Sequence, residues 1–136
     1  MEFVIKLLSD QKSLDLFNTI ATEEGINSSE SLRIKLNLTK KPHYHRISAL
    51  VRSGLVLKRQ DHKYYLTAFG HIIYQVLLTM DGAMKEYWKL KAVDSLNKNI
   101  PARERKVIID SMINNEQIKE LLYRTINHTS ENGSRK

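Results

Sequence analysis

The stretch that decides the fold runs from Leu38 to Ile73, LTKKPHYHRISALVRSGLVLKRQDHKYYLTAFGHII. It starts with a capping residue, Thr39, an early proline, Pro42, and a later glycine, Gly54. This order predicts a helix, because threonine caps helix starts, proline is tolerated in the first turn, and glycine ends helices in the left-handed conformation. The runs LVLKR and KYYL are rich in β-prone residues and flank a polar tip, so they predict a hairpin. A second threonine cap predicts that another helix follows.

The order helix, hairpin, helix is typical of the second half of a winged helix-turn-helix, a fold that usually binds double-stranded DNA. Apolar residues at three- and four-residue spacing predict two earlier helices, from about Asp10 to Thr22 and from about Ser28 to Leu36. The predicted fold is therefore mainly α with a small β-hairpin. It divides into a winged helix-turn-helix DNA-binding domain over residues 1–78, C-terminal dimerisation helices over 79–127, and a disordered tail over 128–136.

Positive charge is concentrated in the predicted hairpin and the helices before it. Residues 33–63 hold nine Lys or Arg and one acid, Asp61, a net charge of +8, whereas the whole chain carries +7. Everything outside this segment therefore sums to −1. Such a local excess favours nucleic-acid binding, because phosphate neutralisation supplies most of the sequence-independent affinity of a DNA-binding protein.

The helix before the hairpin presents a basic face of small and polar residues when Ile47 is taken to point inward. Arg, His and Ser on this face can reach base edges, and cations on the hairpin suit contacts to the DNA backbone or minor groove. His43 and Tyr44 fall near the boundary between the two faces, where either could be half-buried. The residues predicted to contact DNA are Lys40, Lys41, His43, Tyr44, His45, Arg46, Ser48, Arg52, Lys58, Arg59, His62 and Lys63.

From Phe69 to Leu90, apolar residues recur with alternating spacings of four and three, which is the heptad seam of packed helices. The later part of this seam extends past the winged domain, so we expect a homodimer. The predicted interface residues are Val76, Met80, Ala83, Met84, Tyr87, Trp88 and Leu90. The alternative is that the last helices of the same chain, within residues 101–127, fold back and cover the seam.

The patterns LTKKxxYxRISxL, SGLV and YLTxxG begin at Leu38, Ser53 and Tyr65. Over residues 10–78 the chain resembles the archaeal winged-helix transcriptional regulators, which are distantly similar to the arsenic-repressor-like and multiple-antibiotic-resistance-regulator-like groups. At position 43 a histidine stands where the family pattern usually has an apolar or aromatic residue. The resemblance implies that the third helix reads the major groove and that the hairpin touches the flanking DNA backbone. It assigns these roles to Lys41, His45, Ser48 and Arg52 on the helix and to Lys58, Arg59 and Lys63 on the hairpin.

Several functional classes are not expected. The chain has no cysteine, its histidines lack metal-ligand spacing, and it lacks the glycine-rich phosphate loop and the hydrolase and metalloprotease motifs. We therefore predict no cofactor, no metal site and no enzymatic activity. No apolar run is long enough to span a membrane, and the N-terminal residues do not have the pattern of a secretory signal. These features predict a cytoplasmic protein without a membrane partner.

The predicted function is that of a sequence-specific transcriptional regulator that binds double-stranded DNA as a homodimer. Two alternatives remain open at this point. One is an architectural nucleic-acid binder of low specificity. The other is a winged-helix module that binds proteins in a transcription or replication assembly. The sequence identifies no small-molecule effector, no operator and no direction of regulation.

Overall fold

The computed structural model describes residues 2–96 and 99–134, with side chains up to residue 125. These residues fall into two compact units, Met1–Val76 and Leu77–Lys136, which are called the N-terminal and C-terminal units below. The described helices and strands are α1 (Glu2–Leu8), α2 (Gln11–Thr22), α3 (Ser29–Lys35), α4 (Lys40–Arg52), β1 (Val56–Lys58), β2 (Tyr64–Leu66), α5 (Ala68–Lys85), α6 (Tyr87–Asp94), α7 (Ala102–Met112) and α8 (Glu116–Ser134). The prediction of a mainly helical fold with a small hairpin is confirmed.

Polar caps fix the starts of the helices in the N-terminal unit. The Asp10 carboxylate accepts hydrogen bonds from the Ser13 backbone N–H at 3.3 Å and the Ser13 hydroxyl at 2.7 Å, so α2 begins directly after Asp10. Ser28 caps α3 in the same way. The Thr67 hydroxyl accepts from the Gly70 N–H at 2.9 Å at the start of α5. The bonds donated by the backbone N–H groups of Ser13, Ser31 and Gly70 satisfy donors that the first helical turn leaves free.

The strands β1 and β2 pair antiparallel, with Val56 opposite Leu66 and Lys58 opposite Tyr64. Backbone hydrogen bonds also join β2 to the segment between α2 and α3: the Gly25 N–H donates to the Tyr64 carbonyl at 3.0 Å, and the Tyr64 N–H donates to the Asn27 carbonyl at 3.2 Å. The hairpin is thus held on the turn between α2 and α3 rather than standing alone.

The core of the N-terminal unit lies between three helices and the inner side of the hairpin. Its buried residues are Leu16, Phe17 and Ile20 of α2, Leu32 of α3, Leu38, His43, Ile47 and Leu50 around α4, and Leu55, Val56, Tyr64 and Leu66 around the hairpin. A Cβ atom on Gly70 would lie 2.0 Å from the Leu55 carbonyl oxygen. Only glycine lets the start of α5 approach the hairpin this closely.

The C-terminal unit has a smaller core. Ile109, Ile113 and Ile118 are buried together. The partly buried residues packed on them are Ala83, Leu90, Val93, Met112, Leu122 and Tyr123. The chain from α7 onward therefore covers one side of the predicted seam.

Two sequence expectations for the later helices are wrong. The heptad seam implied one long helix through Leu90, but the helix breaks at Glu86, where ψ is 11°, and α6 begins at Tyr87. The composition predicted a disordered tail from His128, but α8 continues to Ser134. The last two residues of that predicted tail, 135–136, lie outside the described residues. Among the helices of the described ranges, none is long and apolar enough to cross a membrane.

Candidate nucleic-acid interface

The exposed face of α4 gathers half of the residues predicted to contact DNA. Lys40, Lys41, Tyr44, His45, Ser48 and Arg52 together line a shallow concavity of about 500 Å³. The opposite face of the helix is buried through Ile47 and Leu50. The helix is thus held by its apolar side, and its basic side is left open to solvent or to a partner.

His43 does not belong to this face. Its side chain is 0% exposed, and its Nε2 lies 2.9 Å from the Ser29 carbonyl oxygen and 3.1 Å from the Ser29 hydroxyl. We assign the proton to Nε2, since that atom can then donate to the carbonyl. Burial lowers the pKa of His43 below 6.5. The prediction that His43 contacts DNA is therefore wrong, because the side chain packs in the core and joins α3 to α4.

Arg46 is only partly available for a contact outside the protein. Its Nε donates to the Asp10 carboxylate at 2.9 Å, and its side chain is 24% exposed. The hydrogen bond from Ser13 and then the one from Arg46 lower the pKa of Asp10. Arg46 therefore anchors α4 to the start of α2, and any contact it makes with DNA must share its guanidinium with Asp10.

The basic residues of α3 are neutralised within the fold. Arg33 forms an ion pair with Glu30, and Lys35 forms one with Glu23. These pairs lower the pKa of both glutamates. Both acids lie just outside the segment 33–63, so counting charge along the sequence assigned α3 a positive excess that it does not have in space. The excess is carried by α4 and the hairpin.

The tip of the hairpin is ordered by its single acid. The Asp61 carboxylate accepts from the Tyr65 hydroxyl at 2.6 Å and from the Lys63 N–H at 2.9 Å, and these bonds lower the pKa of Asp61. His62 takes a left-handed backbone conformation, with φ at 61°. The Arg59 guanidinium lies 4.7 Å from the centre of the Tyr65 ring. Asp61 thus stabilises the turn that carries Lys58, Arg59, His62 and Lys63.

The predicted interface residues of the dimer fall into two groups. Val76, Met80, Met84, Tyr87 and Trp88 are exposed, with Met84 at 73% and Trp88 at 75%. Ala83 and Leu90 instead pack against the isoleucine core of the C-terminal unit. The segment 109–118 supplies packing partners for these two residues within the same chain, and their assignment to a dimer interface stays a prediction. The alternative in which the last helices cover the seam agrees with the packing of these two residues.

Sequence reasoning missed α1 as a neighbour of α4. Phe3, Lys6 and Leu7 of α1 line an open groove of about 700 Å³ with Lys41, His45 and Arg52 of α4. The groove also contacts Asp10, Ser13, Pro42, Arg46 and Ala49. The spacing of Phe3 and Leu7 on either side of Lys6 was the available signal, since residues four apart share a helix face.

The described residues contain no group of three or more His, Cys, Asp or Glu side chains that could hold a metal ion. Comparison of the chain with protein families, with curated proteins and with solved structures finds no match. We therefore infer the function from the geometry and charge of α4 and the hairpin.

Proposed function

We propose that this protein is a winged helix-turn-helix transcriptional regulator that binds double-stranded DNA sequence-specifically as a homodimer. In this proposal α3 and α4 form the helix-turn-helix, α4 is the recognition helix, and the hairpin is the wing. The order of elements and the resemblance to archaeal winged-helix regulators over residues 10–78 both support the assignment.

One observation carries the proposal: apart from Arg46, which pairs with Asp10, the Lys and Arg residues of α4 and the hairpin lack acidic partners, while those of α3 have them. Among the described residues, no carboxylate oxygen lies within 4.0 Å of the charged atoms of six residues: Lys40, Lys41, Arg52, Lys58, Arg59 and Lys63. A solvated protein surface normally mixes both signs of charge. A surface with one sign attracts a polyanion and releases its counterions on contact.

The shape of α4 suits the major groove. An α-helix with its side chains is about 10–12 Å wide, close to the roughly 12 Å width of the groove. Ser48 and Ala49 are small and allow close approach, while Arg52 is long enough to reach the N7 and O6 of guanine. Lys58, Arg59 and Lys63 on the hairpin would contact phosphates and so set the position of α4 on the duplex.

The exposed apolar residues of α5 and α6 support the homodimer. Met84, Tyr87 and Trp88 lie close together in sequence and leave most of their surface uncovered, which is unusual for residues of this size in a monomer. A two-fold dimer would place two recognition helices about one turn of DNA apart. Such a protein would prefer a pseudo-palindromic site.

Fluorescence anisotropy with a pool of genomic duplexes tests the proposal, titrated across salt with random-sequence competitor. A dimer that makes about eight phosphate contacts should give a log–log salt slope of about −7. We expect a steep slope and a fragment that survives competition. Equal competition by every fragment would indicate an architectural binder, and a complete lack of binding would favour a protein-interaction module.

Two variants sharpen the test. Arg52→Ala should weaken binding to the preferred fragment. It should also reduce the difference in binding free energy between that fragment and random DNA by about 1–3 kcal/mol. Lys12→Ala is the matched control, because Lys12 is an exposed cation on α2 outside the predicted contacts. If Arg52→Ala keeps the wild-type sequence specificity, Arg52 does not recognise bases.

A further inference from the structure

The groove between α1 and α4, called the α1–α4 groove below, has a chemistry that DNA binding leaves unused. Its volume of about 700 Å³ lies within the range of small-molecule sites in proteins. It lies entirely within the N-terminal unit. It differs from the concavity on the outer face of α4 in containing the apolar side chains of α1.

The apolar part of the groove comes from both helices. Phe3 and Leu7 contribute from α1, and Pro42 and Ala49 contribute from α4. Phe3 is 55% exposed although it is one of the largest apolar side chains in the unit. None of these four side chains can donate a hydrogen bond to a phosphate. An apolar ligand body gains from this surface, whereas a bare inorganic anion does not.

The charged part of the groove is cationic. Lys6, Lys41 and Arg52 line it, and no carboxylate in the described part of the chain lies within ion-pairing distance of these three residues. The one acid of the groove, Asp10, already accepts from Arg46 and Ser13. The groove therefore offers unpaired positive charge beside an apolar surface, which complements a molecule with an anionic head and an apolar body.

We propose that the α1–α4 groove binds an amphipathic monoanion of the fatty-acid type, with its chain against Phe3 and Leu7 and its carboxylate near Lys6 and Arg52. The bound ligand competes with duplex DNA. His45, Lys41 and Arg52 line both this groove and the outer concavity of α4, so an occupant withdraws them from DNA. The competition rests on the proposed function, whereas binding of the anion does not.

Isothermal titration of the full chain with octanoate, without DNA, tests the site directly. Phe3→Ala and Lys6→Glu should each weaken octanoate binding about tenfold or more. Helix α1 has no buried residue, so truncating Phe3 opens no cavity in the core. The matched controls are Ile5→Ala, an exposed apolar residue of α1 outside the groove, and Lys12→Glu, an exposed cation of α2. Each control should change binding less than about twofold.

Two further ligands separate the sources of affinity. Inorganic phosphate at equal ionic strength should bind far more weakly than octanoate, because it gains nothing from the apolar side chains. Octylamine, which has the same chain and the opposite charge, should also bind far more weakly. Equal binding of octanoate and phosphate, or octanoate binding that Phe3→Ala and Lys6→Glu leave unchanged, would overturn the site.

Anisotropy with duplex DNA then tests the competition. Saturating octanoate should raise the apparent Kd for DNA about tenfold in the wild type and have little effect in Phe3→Ala. Octanoate binding in a protein without affinity for DNA would overturn the proposed function and leave the groove assignment standing. Tight DNA binding that saturating octanoate does not alter would overturn the competition.

Discussion

The two units bury their apolar residues to different extents. In the N-terminal unit, eleven buried apolar residues, among them Phe17, Leu50 and Leu66, form the core, and the exposed face of α4 is polar and basic. In the C-terminal unit, three isoleucines form the core, while Tyr87 and Trp88 lie on the surface.

This difference concerns two surfaces, one in each unit. The exposed face of α4 in the N-terminal unit leaves positive charge without acidic partners, through Lys40, Lys41 and Arg52. Around Met84 and Trp88, the C-terminal unit leaves apolar area exposed, and burial of such area contributes about 25 cal/mol per Å². A polyanion would complement the first surface, and an apolar surface such as a second copy of the same helix would complement the second.

The largest effect is expected from Gly70→Ala. The new Cβ would meet the Leu55 carbonyl oxygen at 2.0 Å, and a backbone atom cannot move aside as a side chain can. We expect the free energy of unfolding to fall by about 3 kcal/mol in urea titrations. Gly82→Ala in the C-terminal unit is the control, since the closest neighbour of its Cβ would be the Asn115 side-chain amide, which can move, and it should cost about 1 kcal/mol or less. Equal losses in the free energy of unfolding would show that the two sites accommodate an added methyl group equally well.

A smaller loss is expected from His43→Ala. The change removes a buried ring and its hydrogen bond to Ser29, which should cost about 2 kcal/mol at pH 7.5. Urea denaturation measures this value. His62→Asn at the hairpin tip is the control and should leave stability nearly unchanged, because Asn tolerates the left-handed conformation of that residue.

The pH dependence of His43 has a definite sign. Its pKa in the folded protein lies below 6.5, so the unfolded chain binds the proton more tightly. Its contribution to stability is therefore complete above about pH 6.5 and declines as the pH falls below that value. The stability difference between wild type and His43→Ala should be smaller at pH 5.5 than at pH 7.5. A difference that grows on acidification would contradict the burial of a neutral ring.

A smaller effect is expected at the exposed apolar surface of the C-terminal unit. Trp88→Ala should weaken self-association about tenfold or more in sedimentation equilibrium, with little change in the stability of the monomer, because the side chain is largely exposed in the single chain. Val107→Ala, which truncates another exposed apolar residue of the C-terminal unit, should leave association unchanged. A wild-type protein that stays monomeric at all accessible concentrations would contradict the proposed homodimer.

The smallest effect is expected from Lys63→Ala. Loss of one phosphate contact in each protomer of the dimer should reduce the magnitude of the log–log salt slope of DNA binding by about 1.8 and weaken binding to all duplexes alike. Lys12→Ala should leave the slope unchanged. A change in sequence preference in Lys63→Ala would mean that the hairpin reads bases rather than the DNA backbone.

Local signals in the sequence predicted the N-terminal elements well. The helix expected from about Asp10 to Thr22 is α2, Gln11–Thr22, and the expected hairpin is present, because capping residues and turn glycines act over a few residues. The break at Glu86 was missed because the apolar spacing continues through it without interruption. Local pattern alone therefore predicted the type of element better than the length of the last helices.

Contacts between residues that are far apart in the sequence determine which side chains are buried or ion-paired, and local patterns did not predict these contacts. The burial of His43 depends on Ser29, which lies on another helix, and the neutralisation of Lys35 depends on Glu23. Leu90 packs against the isoleucine core of its own chain, although its heptad position would also fit a contact with a partner helix. Helical periodicity shows that a face is apolar, but it does not show which surface covers that face.

We propose that DNA contacts a defined surface, the cations of α4 and the hairpin. The alternative is that the overall positive charge of the chain attracts DNA without a defined contact surface. The most direct test compares two triple variants of equal net charge by anisotropy on one genomic duplex across salt. Lys41→Gln, Arg52→Gln and Lys63→Gln change the proposed interface, whereas Lys12→Gln, Lys85→Gln and Lys89→Gln change exposed cations elsewhere. We expect the first variant, which removes six cations from the dimer, to lose up to about 5.4 from the magnitude of the salt slope, and the second to keep the wild-type slope. Equal losses in both variants would contradict a defined interface.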